Sequence, residues 1–561
     1  MGLKTMYCDA KRQESVGAKR KWPEVSVREA SCQVAVNKLR CTGTAVVQCE
    51  GVTTRLVNRY ARSEGWGDSD CDPRVAFEPA SPNSQTEQIR KRDGSGGGGV
   101  AAYDAALIAQ RAVGLISKFP VEPEHKEGDM RKIKISGIFL ALFFSVLFFT
   151  HDALAANHYI RQGATGTNNG SDWANAYTNL PSALTRGDTY YIAGGSYGGY
   201  TFDDSASGTS LITIKKATVS DHGTDTGWND TYANGQAIFS NWSMRSSYIL
   251  IDGQTGGGPG QWETGLGIKV THSGTSALFD TGANTNVTLQ HIEFDGQATG
   301  NAMADYGSFS LSGATTNLAF RYSYIHDLPC DIFKVTASQT GLLLEYNKLS
   351  RNYQGTACHG DVFETLSGTQ SNWVSRYNWF DNVVGTYVWG SNGPTLDSAA
   401  IYGNLLTDGV YDNGIVAGLS SGGTVSNLRF YNNTIANPGG YQAGFANLRG
   451  SGNVAYNNLW YGGSASLSVE GTHDYNWFYG VDSQSESHGQ NGSGNPFTNS
   501  AGKDFTLKAA TNAGMSLSAP YNMDAFGNTR GSGGVWDRGA YEYVSGSSST
   551  APTAPTGLVL R

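Results

Sequence analysis

Short apolar strands in this chain end repeatedly in a Tyr-Asn pair, and this repeat constrains the fold more than any other feature. Examples are "LLLEYNKL" (342–349), "WVSRYNWF" (373–380), "NLRFYNNTIAN" (427–437) and "NVAYNNLWY" (453–461). Aligned on the residue before the asparagine, the repeat occupies His291, Tyr322, Tyr346, Tyr377, Tyr402, Tyr431, Tyr456 and Tyr475. Neighbouring members are 19 to 31 residues apart, and a period in this range is characteristic of solenoid proteins.

Each repeat unit contains two or three short runs of β-branched and aromatic residues, separated by Gly, Asn, Asp and Ser. Such runs are typical of strands, and none shows the 3.6-residue periodicity of a helix. One unit therefore fits one turn of a parallel β-solenoid, in which each strand pairs with its equivalent about 4.8 Å away. Leucine-rich repeats need a regular Leu ladder, which the chain lacks, and propeller blades are longer, about 40–45 residues.

The asparagines of the repeat predict how each turn changes direction. They follow a strand directly, where a left-handed residue is needed, and Asn tolerates that conformation. Stacked amides can also bond to each other from turn to turn as a ladder. The residues predicted to do so are Asn347, Asn378, Asn432, Asn457 and Asn476. This spacing and these corners resemble the right-handed parallel β-helix family, which includes pectate-lyase-like proteins, over about 190–545.

The resemblance implies an all-β fold, a right-handed parallel β-helix of about eight or more turns, which we assign to residues 156–545. Tyrosines of the repeat are then expected to stack nearly above one another.

A second feature lies before the repeats, in "MRKIKISGIFLALFFSVLFFTHDALAA". Basic residues follow Met130, an apolar core spans 135–149, and Ala153-Leu-Ala155 offers a small-x-small cleavage site, which is the layout of a secretory signal peptide. A transmembrane anchor is the alternative, but the apolar stretch is short of the about 20 residues needed to span a bilayer. Residues 130–155 therefore predict export, with membrane contact only during that step. Residues 1–129 are interpreted as a non-native or poorly ordered extension, from a start codon assigned too early.

Two segments resemble pieces of other modules. Residues 93–120 resemble half of a dockerin, the calcium-binding module that docks into cohesins. The resemblance implies Ca²⁺ binding by Asp93, Ser95 and Asp104 and a cohesin partner, although Gly97 stands where the family has a carboxylate. Residues 546–561 predict a Ser/Thr/Pro linker, and within them 551–560 resemble the start of a fibronectin type III domain.

The stretch "TACHGDVFET" (356–365) contains the candidate catalytic residues. Alignment of the turns sets Asp361 beside Asp331, and strand alternation places His359 on the same face as Asp361. A histidine with two carboxylates can perform acid–base chemistry or hold a metal ion. The alternative is that His359 and Asp361 bond only to backbone in a turn. The same alignment predicts an ion pair between Lys334 and Glu364.

Residues flanking this stretch are candidates for binding an acidic sugar. Arg351 and Arg376 offer positive charge, and Trp389 offers an aromatic face on which a sugar ring can stack. Solvated rim charges and a core tryptophan are the alternatives. Cys330 and Cys358 are predicted to form a disulfide, because they lie about one turn apart and export places them in an oxidising compartment.

Composition restricts the class of partner. The chain has 40 Lys and Arg against 48 Asp and Glu, for a net charge of −8, and nucleic-acid binding is expected to need a basic surface instead. Two functions remain open, because this fold serves several. One is an exported protein that engages an extracellular polysaccharide and, as an enzyme, cleaves it as a lyase or glycoside hydrolase. The other is a non-catalytic adhesin or structural solenoid at the cell surface.

Overall fold

The computed structural model describes residues 155–273, 276–298, 309–353, 360–390, 395–411, 413–418 and 422–545, with backbone only at 389–390. It also describes the backbone of five strands near the N-terminus. The chain divides into two units, Met1–Leu140 and Ala141–Arg561. In the first unit the strands form an antiparallel sheet in chain order. They are Glu24–Val27, Ala30–Lys38, Gly43–Cys49, Val52–Asn58 and Ala76–Phe77.

The second unit consists of three parallel sheets, which we number by the order in which one turn of the chain visits them. Sheet 1 contains, in spatial order, Asn157–Ile160, Thr189–Ile192, Ile212–Lys216, Ile249–Asp252, Asn284–Gln290, Thr315–Arg321, Leu343–Glu345, Val374–Arg376, Ala400–Tyr402, Arg429–Tyr431, Val454–Tyr456 and Thr472–Asp474. A short branch beside it contains Gln339–Thr340, Thr369–Ser371, Thr395–Asp397 and Thr424–Ser426.

Sheet 2 follows the corner after sheet 1. It contains Ile268–Thr271, Ile292–Asp295, Tyr324–Leu328, Lys348–Asn352, Trp379–Asp381, Leu405–Thr407, Thr434–Ala436, Leu459–Tyr461, Trp477–Tyr479 and Gln490–Gly492. Sheet 3 contains Gly195–Phe202, Phe279–Thr281, Phe309–Leu311, Phe333–Val335, Phe363–Thr365, Val388–Gly390, Val416–Gly418 and Phe445–Ala446. The long strand Ala237–Met244 pairs with members of both sheets.

A few elements lie outside these sheets. Val410–Tyr411 pairs with Gly439–Gly440, and Phe497–Asn499 pairs antiparallel with Asp504–Leu507. 3₁₀ turns lie at Asp230–Ala233 and Ser500–Gly502. Among the residues that the structure describes, no helix is long and apolar enough to cross a membrane.

The strand pairing confirms the predicted all-β parallel β-helix. Sheet 1 alone stacks twelve parallel strands within the described residues, in agreement with the expected eight or more turns. Strand alternation explains the interior: in Ile292–Asp295, Ile292 and Phe294 are fully buried while Glu293 and Asp295 face outward. A column of phenylalanines fills the core between the sheets, and Phe333 stacks on Phe363 of the next turn at 4.7 Å. The outward faces are thus the only faces of these strands left for polar chemistry.

The corner between sheets 1 and 2 contains the predicted asparagine ladder. Each amide nitrogen donates to the amide oxygen of the next turn at 3.0–3.1 Å. The members are Asn347, Asn378, Asn404, Asn433, Asn458 and Asn476. The prediction is therefore confirmed at Asn347, Asn378 and Asn476, and it missed Asn404.

The prediction is wrong at Asn432 and Asn457, which precede the ladder position by one residue. Both are the left-handed residue of their corner, with φ of 54° and 58°. The cause is register, because Tyr402 pairs with Arg376 and not with Tyr377. Tyr402, Tyr431 and Tyr456 accordingly end their strands, whereas Tyr475 is again the left-handed residue of its corner.

The tyrosines accordingly form two columns instead of one. Rings of His291, Tyr322, Tyr346 and Tyr377 follow one another at 4.9–5.2 Å. Tyr431 stacks on Tyr456 at 5.8 Å in the second column. The expected stacking is present within each column, and the single continuous column is not.

Candidate functional site

The two aspartates predicted to be catalytic lie together at the corner between sheets 2 and 3. The Asp361 amide donates to the Asp331 carboxylate at 2.7 Å, and the Thr386 amide donates to the Asp361 carboxylate at 2.5 Å. Their expected proximity on adjacent turns is confirmed. Both are buried, with exposed fractions of 0% and 2%, so the expectation that they share a surface patch is wrong for this pair.

Burial sets the electrostatics of this corner. It raises the pKa of Asp331 well above its ordinary value, and the nearby negative charge of Glu364 and a hydrogen bond with Glu364 act in the same direction. The predicted pair between Lys334 and Glu364 is present, with the ammonium 3.8 Å from the carboxylate. Asp331 therefore serves as a hydrogen-bond partner inside the corner, beside a Lys334–Glu364 pair whose side chains are only 18% and 7% exposed.

Several predicted residues lie outside what the structure describes. His359 and Cys358 are among them, so the catalytic role of His359 stays a prediction. Cys330 is disulfide-bonded, and its pairing with Cys358 also stays a prediction. The proposed calcium ligands Asp93, Ser95 and Asp104, the dockerin-like segment and the linker at 546–561 lie outside as well, as does the signal peptide except Ala155.

The residues predicted to bind sugar do not converge on one site. Arg351 lies on sheet 2, where it donates to Asp327 at 2.6 and 2.8 Å and to the Tyr324 hydroxyl at 2.9 Å. Arg376 lies on sheet 1, bonded to Glu345 at 2.6 Å. Trp389 lies on sheet 3 in register with Glu364, and its side chain is not described.

A groove of about 600 Å³ runs along the outer face of sheet 3. Its floor is a row of outward-facing residues from successive turns, each in register with the next. The row consists of Thr201, Ser243, Asp280, Ser310 and Lys334. Because neighbouring parallel strands lie about 4.8 Å apart, the five positions extend over about 19 Å. The groove thus presents an extended polar strip with both hydroxyl and charged groups.

The charged residues of the groove are paired, and the pair at Asp280 stays accessible to solvent. Asp280 pairs with Arg245 and accepts from Ser312 at 3.2 Å. Arg245 and Asp280 retain exposed side-chain fractions of 40% and 28%. Exposed pairs of this kind contribute little to stability, so a ligand can take over their hydrogen bonds at small cost.

A separate charged network covers the outer face of sheet 2. The Lys269 ammonium lies 2.6 Å from Glu293 and 2.8 Å from Asp295, and His326 bridges Glu293 at 3.3 Å and Asp327 at 2.6 Å. Burial opposes ionisation of Glu293, but hydrogen bonds from His326, Lys269 and Gln236 outweigh it and lower its pKa to about 2. Glu293 is therefore ionised at neutral pH, and protein cations hold its carboxylate.

Glu293, Asp295 and His326 also bring their ligand atoms within 4.8 Å of one another, as a metal site would. They do not fit Ca²⁺, which takes six to eight oxygen ligands, because the set offers only two carboxylates and a ring nitrogen. The Lys269 ammonium already binds both carboxylates. We therefore derive no metal-dependent step from this cluster.

No protein-family model matches this chain, and no curated protein sequence matches it. Among solved structures, the pectate lyase Pel9A is similar with a TM-score of 0.40 and 14% identity, over 69% of this chain and 97% of that chain. The catalytic unit of a GH87 α-1,3-glucanase from Streptomyces thermodiastaticus strain HF3-3 is similar with a TM-score of 0.28 and 12% identity. The similarity covers 55% of this chain and 62% of that chain.

An alginate lyase of the PL6 family, AlyGC, gives a TM-score of 0.27 and 11% identity, over 55% of this chain and 50% of that chain. At these scores the assignment of the fold rests on the strand pairing of the chain itself.

Proposed function

We propose that this chain binds a polysaccharide along the groove on sheet 3. The observation that carries the proposal is the row of five polar positions, one per turn, on the floor of an open groove. A linear chain of sugars has hydroxyl groups at regular intervals, and a ladder of hydroxyl and charged side chains can bond to them repeatedly. Binding sites for small molecules, in contrast, are enclosed and mostly apolar. This strip is open and polar.

The charges of the strip favour a ligand with polar groups of more than one kind. Lys334 and Arg245 can bind carboxylates or hydroxyls, and Asp280 can accept from hydroxyls. Cleavage is the finer proposal and depends on His359, since Asp331 and Asp361 are buried beneath the outer surface. A groove that binds without cleaving is the function of an adhesin, and the experiment below separates the two.

The experiment is a panel of acidic and neutral polysaccharides, tested by affinity gel electrophoresis and by analysis of reaction products. We expect retention on at least one polysaccharide, and weaker retention of Asp280→Asn. Asp397→Asn is the matched control, because Asp397 faces outward from the branch beside sheet 1, away from the groove residues. If no polysaccharide retards the wild-type protein, the proposed function is wrong.

Products decide the reaction class. A lyase leaves an unsaturated sugar that absorbs in the ultraviolet, a hydrolase leaves a new reducing end without that absorbance, and an adhesin leaves the polymer intact.

We also propose that the protein is exported through the segment at 130–155. The basic, apolar and small-residue regions of that segment support this proposal. Expression of the full chain in a bacterial host, followed by N-terminal sequencing of the protein outside the cytoplasm, should give a new N-terminus near Ala156. Retention of the whole chain inside the cell would refute export.

A further inference from the structure

The residues that line the groove on sheet 3 carry no net charge. Among the described residues of the lining, Asp280 is the one anion and Lys334 the one cation. The rest of the lining is neutral and consists of hydroxyl, amide, aromatic and small residues. A groove that binds a polymer with one carboxylate on each sugar is expected to contain an excess of Lys and Arg, because binding surfaces complement the charge of their ligands.

The anion of the groove already has a cation of the protein. Asp280 forms an ion pair with Arg245 and accepts hydrogen bonds from Ser312 at 3.2 Å and from Ser243 at 3.4 Å. A ligand carboxylate bound to Arg245 would therefore lie beside the Asp280 carboxylate, and two adjacent negative charges repel each other. A ligand hydroxyl meets no such repulsion, because it can donate to Asp280 and accept from Arg245.

The cation of the groove lies among carboxyl groups of the protein. The Lys334 ammonium is 3.8 Å from Glu364, and the side chains of the two residues are 18% and 7% exposed. Lys334 also acts on Asp331. Burial is the main cause that raises the pKa of Asp331 to about 7, the charge of Glu364 adds to this effect, and Lys334 opposes it. One ammonium therefore serves two carboxyl groups of the chain, so a ligand carboxylate meets no excess of positive charge there.

Hydroxyl groups occupy the floor between and beside these charges. Ser310 lies between Asp280 and Lys334 in the row, and Ser243 and Thr201 continue the row on the other side of Asp280. A side-chain hydroxyl donates one hydrogen bond and accepts others, which is also the hydrogen-bonding capacity of a sugar hydroxyl. The row can therefore bond to a polysaccharide without any ionic contact.

The arginines expected from the sequence to bind an acidic sugar lie on other faces. Arg351 on sheet 2 donates to both carboxylate oxygens of Asp327, and Arg376 on sheet 1 is bonded to Glu345. Neither lines the groove. The whole chain has a net charge of −8, so its long-range field also opposes the approach of a polyanion.

We propose that the groove on sheet 3 selects uncharged polysaccharides and discriminates against those with a carboxylate on each sugar. The inference rests on the proposed function, because it names the class of polymer that the same groove binds. A neutral chain bonds to the hydroxyl row and to the solvent-accessible pair of Arg245 and Asp280. An acidic chain brings further negative charge next to Asp280 and Glu364, which lowers its affinity.

The test is affinity gel electrophoresis of the full chain in polymers taken as pairs, whose two members share a backbone and differ in charge. The pairs are hydroxyethylcellulose with carboxymethylcellulose, xylan with carboxymethyl xylan, and methyl-esterified polygalacturonate with free polygalacturonate. In each pair that retains the protein, we expect the neutral member to bind about fivefold more tightly or better, which is the scale of one exposed charge contact.

Asp280→Asn removes the negative charge that Arg245 is paired with. It should therefore shift the preference toward the acidic member of a pair by about fivefold. Asp397→Asn is the matched control, because it removes the same charge from the branch beside sheet 1, and it should leave the preference unchanged. If Asp280→Asn does not fold, the comparison of neutral and acidic members with the wild-type protein decides alone.

Two results overturn the inference and leave the proposed function standing. One is that the wild-type protein binds the acidic member of a pair as tightly as the neutral member. The other is that a folded Asp280→Asn protein keeps the preference of the wild-type protein. Absence of retention in every polymer instead refutes the proposed function, and the inference with it.

Discussion

The two corners that flank sheet 2 are built in opposite ways. At the corner with sheet 1, every turn from Asn347 to Asn476 repeats one left-handed residue and one asparagine, bonded to the next turn at 3.0–3.1 Å. At the corner with sheet 3, the connections vary from 329–332 to 296–308, and the aspartate that repeats at Asp331 and Asp361 gives way to Thr386 on the next turn. The regular corner fixes the register of the solenoid, whereas the irregular corner can vary without disturbing it. Binding residues are expected on such variable segments and beside them.

The largest expected effect is at the regular corner. Asn404 is fully buried and bonds to Asn378, Asn433 and the Ser375 carbonyl. Asn404→Ala leaves several buried partners unsatisfied, so it should lower the free energy of unfolding by about 3 kcal/mol or more. Urea denaturation measures this value.

Asn241 is the control for Asn404, since its amide also bonds to another turn, at Ser273, but in an exposed position. Asn241→Ala should cost less than about 1 kcal/mol. Equal losses in the two variants would remove the distinction between ladder and surface asparagines.

A smaller effect separates two adjacent asparagines. Asn433 is a ladder residue, bonded to Asn458 and to the Ile401 carbonyl. Asn432 is the left-handed residue before it, with two bonds of 3.2 Å to the C-terminal segment. Asn433→Gly should cost about 3 kcal/mol, whereas Asn432→Gly should cost about 1 kcal/mol or less, because glycine relieves the left-handed strain. The reverse order would show that the register at this corner is wrong.

The irregular corner should respond to pH. The pKa of Asp331 is raised in the folded state by burial and by Glu364. At pH values between the pKa of Asp331 in the unfolded chain and its pKa in the folded protein, the unfolded chain therefore binds fewer protons than the folded protein. Stability from this group is then greatest at acidic pH and falls as pH rises through that window. Asp331→Asn removes this dependence. Its effect on the free energy of unfolding should therefore be more favourable at pH 8 than at pH 4, by about 1–2 kcal/mol.

The effect of Asp327→Asn on stability should depend on pH in the opposite direction. Burial opposes ionisation of Asp327, but hydrogen bonds from Arg351 and His326 outweigh it and lower the pKa. Its ionised form stabilises the fold above the unfolded pKa, and this stability is lost as pH falls through the folded value. Asp327→Asn should therefore be more destabilising at pH 8 than at acidic pH. The same pH trend in both variants would contradict the account of Asp331.

The sequence predicted what repeats and missed what does not. Lys334 and Glu364 were predicted to pair because the surrounding turns share an Asp-x-Phe pattern, and the register confirms it. Asn404 was missed because Gly403 replaces the tyrosine before it, which shifts a Tyr-based alignment by one residue. Buried Asp331 and Asp361 show that alignment gives proximity, but not exposure.

The groove on sheet 3 had no signal in the sequence. Its floor takes one residue from each turn, and hydroxyl residues such as Thr201, Ser243 and Ser310 are common on any outward face. An ion pair between Glu263 and Lys348 is equally hidden in the sequence, because 85 residues separate its members. Both arise only when the turns are stacked.

The most direct test of the central claim is to fill the groove and to leave the rest of the turn intact. Ser310 lies between Asp280 and Lys334 on the groove floor, so Ser310→Trp should weaken binding of the retained polysaccharide about tenfold or more. Thr316→Trp places the same side chain at an exposed position of sheet 1 on the same turn and should leave affinity within about twofold. If Ser310→Trp folds and binds like the wild-type protein, the polysaccharide does not lie in this groove.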